Sequence, residues 1–275
     1  MPFLDLNTIR IYYETCGDPW MPPLLLIAGL SDVAAKTKWQ TAELADDFYT
    51  IVFDNRGAGR STAPEPGYAI TDMADDVLAI LDALAVPTTH IFGFSMGGMI
   101  ATELALRHPE RVRRLALGCT TAGGPLSVSP REEVVQALSE PQDSGDRRRD
   151  FYDRIWMSVS ERTIDRDPGL LGKLLELDTS YTQSPIGYAG QLQALLGHDV
   201  SGRLAEIRAP TLVLHGEDDL KIPAENGRLL ARNIPGARLK LYPRTGHLFF
   251  IEQATAVNAD LRDFFLQDEV MGEAS

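Results

Sequence analysis

The sequence predicts an α/β fold: a mostly parallel, eight-stranded sheet with helices on both faces, plus a helical segment inserted into it. Three observations carry this expectation. Short apolar runs of strand length recur along the 275 residues, each bounded by Gly, Pro or Asp. Segments of helical period lie between most of them. The runs are apolar throughout rather than alternating, as in parallel strands buried on both faces.

The elements follow in order. Phe3 to Leu6 and Ile9 to Tyr13 alternate around Asn7 and Thr8, the pattern of a hairpin with a two-residue turn, expected at the sheet edge. The inner strands are expected at Leu24–Ala28, Thr50–Phe53, His90–Phe94, Leu115–Gly118, Thr211–Leu214 and Leu239–Tyr242. Helical period is clearest over Asp72–Leu84, Met96–Arg107, Ala224–Asn233 and Ala254–Leu266. Between Thr121 and Ala209 the alternation stops, and only helix-like stretches remain: Glu132–Ser139, Arg148–Ser158, Leu170–Leu177 and Ile186–Leu196. The organisation expected is a core of residues 1–120 and 210–275 carrying a helical cap of residues 121–209. The basic run Arg147, Arg148, Arg149 within it reads as a solvated helix face.

Composition narrows the function classes. The net charge of −13, from 26 basic and 39 acidic residues, argues against nucleic acid or an anionic membrane as partner. The apolar run Leu24–Leu30 follows two prolines and no basic segment, so it resembles neither a leader peptide nor a membrane span. Cys16 and Cys119 are the two cysteines, too few for a disulfide framework, and a cytoplasmic location is the expectation. No H-x-x-x-H, H-E-x-x-H or paired-cysteine spacing offers a metal site, so neither metal nor cofactor is expected.

Gly93, Phe94, Ser95, Met96, Gly97, Gly98 forms a G-x-S-x-G pattern between an apolar strand and a helix. A tight strand-to-helix turn strains the serine backbone, and flanking glycines let the two elements approach. Ser95 is then an exposed nucleophile beside the Met96 N–H and the positive end of the helix dipole. A plain helix cap is the alternative role for such a serine. A serine hydroxyl needs a base. Of five histidines, only His247 sits in a glycine turn between the last strand and the last helix. His90, His108, His198 and His215 are expected to be structural, with His198 or His215 next in line for a place at the pocket. A carboxylate must in turn orient the base. The turn after Thr211–Leu214 holds Glu217, Asp218 and Asp219; Asp219 is the choice, because it lies past the strand end where a side chain can turn inward, and Asp218 is the alternative.

The order Ser95, Asp219, His247 and the glycine elbow resemble the α/β-hydrolase fold family from Ile9 to about Leu266. Asp54 to Ser61 is similar to the family's D-x-R-G-x-G-x-S segment, and Arg107 to Val112 to the end of its nucleophile helix; both are assigned structural roles. The resemblance implies an oxyanion hole made by the Leu30 and Met96 backbone N–H groups, with Ala28 standing where the family carries a histidine. It implies a serine hydrolase rather than the dehalogenases and epoxide hydrolases of this fold, whose nucleophile is an aspartate. The nearest likeness is to 3-oxoadipate enol-lactonases and small esterases, with cofactor-free perhydrolases close and carbon–carbon bond hydrolases more distant. A small ester or lactone is the expected substrate; a perhydrolase, or a binding protein retaining the triad, is the alternative. Trp156, Tyr181, Tyr188 and Leu192, together with Met157, are candidates for the pocket wall. For a dicarboxylate lactone an inward arginine of the insertion, Arg131, Arg154, Arg162 or Arg166, would be expected to meet the free carboxylate.

Overall fold

The turn Asn7-Thr8, with Asn7 in the left-handed region at φ 48°, folds strand β1 (Phe3–Leu6) back on β2 (Ile9–Cys16) as an antiparallel hairpin. This computed structural model describes residues 3–139, 144–181 and 184–267. The inner strands are β3 (Pro23–Ile27), β4 (Tyr49–Phe53), β5 (Thr89–Phe94), β6 (Val112–Gly118), β7 (Thr211–Gly216) and β8 (Arg238–Tyr242). They lie in the order β1-β2-β4-β3-β5-β6-β7-β8. Every pairing from β4 to β8 is parallel, while β1–β2 and β2–β4 are antiparallel. The α/β fold with a hairpin edge is the one the residue pattern predicts.

Burial on both faces explains why the inner strands read as continuous apolar runs. Leu25, Ile27, Ile91, Leu115 and Val213 face one layer, formed by helices Ile70–Ala83, Met96–Arg107 and Glu225–Asn233. Leu24, Leu26, Phe92, Phe94 and Leu214 face the other, where Phe249, Phe250, Phe264 and Phe265 pack. Each such fully buried side chain stabilises the fold by about 1.5–3 kcal/mol relative to exposure. The helices Lys38–Leu44 and Glu161–Arg166 were not expected from period: they are 7 and 6 residues long, too short to show one. The stretch expected as one helix over Arg148–Ser158 is a helix Arg147–Arg154 followed by a 3₁₀ turn, Ile155–Met157.

β3 has β4 on one side and β5 on the other, so the chain direction across the sheet reverses there. A crevice opens outside the carboxyl ends of the strands at such a switch point. Among the described residues, 121–209 contribute helices and turns and one isolated bridge, Gly123 to Asp199, which joins the two ends of the excursion. This segment touches the loops after β3, β4 and β8: Ser31 N–H donates to Gln191, Gln191 donates to the Arg56 carbonyl, and Leu248 N–H donates to the Ser158 carbonyl. Arg148 and Arg149 are exposed, as expected of a solvated face, whereas Arg147 ties its own helix to the carbonyls of Asp178, Thr179 and Tyr181.

Candidate active site

Ser95 closes β5 with φ 56° and ψ −127°, a strained conformation for a residue bearing a side chain. The turn is pinned by its own backbone. Ser95 N–H donates to the Gly118 carbonyl at 2.9 Å, and its carbonyl accepts Gly98 N–H at 2.9 Å and the Thr120 hydroxyl at 2.7 Å. Glycine is required around it: a Cβ on Gly93 would lie 2.3 Å from the Gly97 carbonyl oxygen, and one on Gly97 would lie 2.0 Å from that of Ile27. The Ser95 hydroxyl makes no capping bond to the helix that follows.

His247 lies in the turn after β8, and its Nδ1 is 2.8 Å from Asp219 Oδ2. The Asp219 side chain is fully enclosed, and its Oδ1 accepts the backbone N–H groups of Lys221 at 2.9 Å and Ile222 at 3.0 Å. Burial alone would raise the Asp219 carboxyl; the facing His247 and the hydrogen bonds from His215 and His247 outweigh it and hold the group well below the usual carboxylate range. Glu217 and Asp218 point into solvent.

His215 is one of the histidines expected to be structural, and it does contact the site. Its Nε2 lies 2.8 Å from the Ile222 carbonyl and 3.3 Å from Asp219 Oδ2, so Asp219 sits between two imidazoles. The other three serve packing and local pairing: the His90 ring packs at a tilt against Phe265, His108 ends a helix beside Glu110, and His198 lies 3.6 Å from Glu103.

Leu30 follows β3, and Met96 opens the helix after Ser95. Among the described residues neither backbone N–H donates to a protein acceptor, which leaves both available to an oxyanion. Gly29 brings this loop against the serine: a Cβ there would stand 3.1 Å from Ser95 Cβ. Ala28 offers no side-chain polar group to this loop, and other residues brace it. Asn55 Nδ2 donates to the Ala28 carbonyl at 3.0 Å, and buried Gln191, reaching in from helix Pro185–Leu196, accepts Ser31 N–H at 2.8 Å. The Asp54–Ser61 segment is structural as expected: Asp54 accepts the Ala34 and Arg60 backbone N–H groups, and Arg56 pairs with Asp76.

Glu252 is a further residue that sequence reasoning missed. Its carboxylate accepts Gly246 N–H, Ser160 N–H and the Ser160 and Thr163 hydroxyls, tying the His247 turn to the inserted segment. A glutamate five positions after His247 in an apolar stretch was the available signal. Trp156 donates to its own helix end at Asp153, the Tyr188 hydroxyl donates to the Leu138 carbonyl, the Tyr181 ring lies 5.5 Å from the Arg60 guanidinium, and Leu192 is half-buried beside Gln191. Trp156 and Tyr188 thus spend their polar atoms within the insertion itself.

Cys119, Asp219 and His247 each present a donor atom within 4.8 Å of the others. The Cys119 thiol is raised well above its ordinary value by burial first and then by the Asp219 charge, so it is held neutral. Asp219 and His247 already spend the facing atoms on each other. A cation here would have to displace that hydrogen bond and the thiol proton, a poor fit to the donor set.

Residues 22–153 and 129–254 match the sequence profile of the alpha/beta hydrolase fold family. The chain belongs to that family. It is 32% identical over 265 residues to a poly(3-hydroxyalkanoate) depolymerase from Ectopseudomonas oleovorans, covering 96% of this chain and 91% of the relative. A Variovorax paradoxus (strain S110) protein provisionally named carbamate hydrolase RutD is 30% identical over 272 residues, covering 95% of this chain and 98% of the relative. Among solved structures, the enol-lactonase from Burkholderia xenovorans LB400 superposes with a TM-score of 0.84 at 28% identity, covering 96% and 99% of the two chains. Hydrolysis is the activity class these relatives support for this α/β-hydrolase. No helix among its described residues is long and apolar enough to cross a membrane.

Proposed function

We propose that this α/β-hydrolase is a serine hydrolase that cleaves a small carboxylic ester or lactone through an acyl-enzyme, with residues 121–209 acting as a cap over the site. The observation that carries the reading is the enclosed Asp219–His247 hydrogen bond of 2.8 Å at the same sheet edge as Ser95, whose hydroxyl is not spent on capping its helix. An enol-lactonase among the structural relatives supports a carbonyl–oxygen bond as the one broken.

Ser95 Oγ attacks the carbonyl carbon as His247 Nε2 takes its proton. Asp219 holds the Nδ1–H and stabilises the imidazolium, and the Leu30 and Met96 N–H groups receive the oxyanion. His247 then protonates the leaving alkoxide, the tetrahedral intermediate collapses, and the acyl group remains on Ser95. Water attacks the acyl-enzyme with His247 again as base, and the acid leaves as Ser95 regains its proton. In a lactone the alkoxide and acyl group belong to one molecule, so the product is a hydroxy acid or, from an enol-lactone, a keto acid. The scheme uses no metal or organic cofactor.

The test is steady-state turnover of p-nitrophenyl acetate to octanoate and several lactones by wild type and Ser95→Ala. The expected result is wild-type turnover that falls by about 10³-fold or more in the variant, at least roughly 4 kcal/mol in the barrier. Equal rates in the two proteins, or no turnover of any ester or lactone, would overturn the proposal.

A further inference from the structure

The Leu30 N–H belongs to the Gly29–Leu30 peptide, and the backbone on both sides of that peptide is tied down. The carbonyl before it, that of Ala28, accepts Asn55 Nδ2 at 3.0 Å. Its own carbonyl, that of Gly29, accepts Asp32 N–H at 3.2 Å, which closes a four-residue turn with Leu30 and Ser31 at the centre. The N–H after it, that of Ser31, donates to Gln191 Oε1 at 2.8 Å. Ser31 occupies the third place of this turn at φ 63°, a left-handed conformation that favours glycine or asparagine and is strained for serine. Asn55 and Asp32 belong to the loops of the core. Gln191 does not: it reaches this turn from the inserted segment, 160 positions further along the chain.

Both ends of the Gln191 amide are spent. The side chain is fully buried, and Nε2 donates to the Arg56 carbonyl at 2.7 Å. A backbone N–H can only donate and a backbone carbonyl can only accept, so the amide fits these two partners in one orientation. Its helix, Pro185–Leu196, buries Gly187, Gly190, Gln191 and Ala194, which share one face at spacings of three, four and seven residues. A Cβ on Gly187 would lie 2.0 Å from the Gly57 carbonyl oxygen, and one on Gly190 would lie 2.7 Å from the Tyr68 ring. The helix backbone therefore rests directly on the loop after β4, and Gln191 is the polar side chain of a face that is otherwise Gly and Ala. An apolar side chain would serve packing alone there. A buried amide is costly unless its groups are matched, and here they are matched by the backbone of two core loops.

We propose that Gln191 is a positioning residue of the oxyanion hole: by holding Ser31 in its left-handed turn, it aims the neighbouring Leu30 N–H at the place where the substrate carbonyl oxygen gains charge. The inference rests on the hydrolase reading above, with Leu30 as one of the two donors. The Met96 donor is set by the serine turn, within the core. The Leu30 donor is set in part by the inserted segment. Without Gln191 the strained turn relaxes, and the Gly29–Leu30 peptide shifts with it. The hydrogen bonds described for Ser95, Asp219 and His247 run to other residues, so the loss falls on the oxyanion and not on the nucleophile or base.

The experiment measures hexyl trifluoromethyl ketone and hexyl methyl ketone as inhibitors of p-nitrophenyl butyrate turnover by wild type, Gln191→Met and Gln191→Glu. Ser95 adds to the fluorinated ketone: the Oγ–C bond forms, the carbonyl π pair moves onto oxygen, and the Oγ proton passes to His247 Nε2, leaving an oxyanion in the hole. The methyl ketone fills the same pocket without adding. Wild type is expected to bind the fluorinated ketone much more tightly. Gln191→Met, of similar volume, should lower kcat about 10–100-fold with KM within about threefold, and shrink the ratio of the two inhibition constants by a similar factor. Gln191→Glu keeps an acceptor for Ser31 N–H and should recover most of both. Wild-type kcat and ratio in Gln191→Met overturn the proposal and leave the hydrolase reading standing. Equal loss of affinity for the two ketones overturns it as well, since Gln191 then serves only to seat the insertion, and so does a Gln191→Glu protein that recovers nothing. A wild type that neither turns over the ester nor favours the fluorinated ketone overturns the hydrolase reading and this inference together. If Gln191→Met does not fold, Gln191→Asn, one methylene too short to span Ser31 and Arg56, is read by the same criteria.

Discussion

Replacing Glu252 by alanine removes the clamp between the inserted segment and the turn that carries His247. Glu252 Oε1 accepts Gly246 N–H at 2.6 Å; Oε2 accepts Ser160 N–H at 3.0 Å, Ser160 Oγ at 2.7 Å and Thr163 Oγ1 at 2.5 Å. The surfaces it joins are tightly packed, since a Cβ on Gly246 would lie 2.8 Å from the Val159 carbonyl carbon. The two hydroxyls can turn to water, but the two backbone N–H groups are held in place, and leaving a buried donor unpaired costs about 1–3 kcal/mol. Glu252 is only partly buried, so water relieves some of this, and the loss expected is about 2–4 kcal/mol. At about 2–4 °C per kcal/mol for a chain of this size, the melting temperature should fall by roughly 4–16 °C. Glu252→Gln keeps one carbonyl oxygen but turns its amide N–H toward the remaining donors, so an intermediate loss is expected. Scanning calorimetry and ester turnover at 25 °C, on the same preparations, measure both consequences. A Glu252→Ala protein that melts with wild type refutes the stability argument. One that melts lower yet turns over substrate at the wild-type rate refutes the claim that Glu252 positions His247.

Other consequences follow from the site and its surroundings. Asp219→Asn should lower kcat by about 10³–10⁴-fold by presenting the wrong partner to His247 Nδ1, whereas Asp218→Asn, at an exposed side chain, should leave it within a factor of about three. The reverse ranking in stopped-flow turnover would make Asp218 the acid. His198 is lowered to about 4 from 6.5, by burial against the smaller opposing pull of Asp199. The folded protein therefore stays neutral at His198 where the unfolded chain takes up a proton. That contribution to stability is complete above pH 6.5 and is lost as pH falls toward 4, by up to about 3 kcal/mol. Glu103, 3.6 Å away with its carboxyl raised by burial, titrates in the opposite sense, so the comparison is the difference between wild type and His198→Gln. Urea midpoints that fall in parallel for the two proteins from pH 7 to 4 would contradict it.

The strands were legible because burial on both faces leaves continuous apolar runs, and the long amphipathic helices because one apolar stripe repeats. The strand order was less open to reading, since nothing in Pro23–Ile27 itself says that Tyr49–Phe53 will lie on one side and Thr89–Phe94 on the other. Ser95 stood out because its turn forces glycines within three residues of it, and His247 because a glycine turn surrounds it. Gln191 left no mark: it bonds Ser31 from 160 positions away in a helix of ordinary composition. His215 read as a strand end, and only the fold of its own loop brings Asp219 back against it at 3.3 Å.

What the sequence by itself determined are features written in local backbone geometry: the strained serine turn, the histidine turn, the hairpin and the alternation of strands with helices. Tertiary structure alone decided how Asn55 and Gln191 brace the loop after β3, how Glu252 joins the insertion to the His247 turn, and that Asp219 lies between His215 and His247. The physical reason is range. Steric limits on a turn act between adjacent residues and constrain which amino acids can occupy it, whereas hydrogen bonds and charge contacts act between whatever side chains the packed sheet brings together, and any residue of the right polarity can supply them.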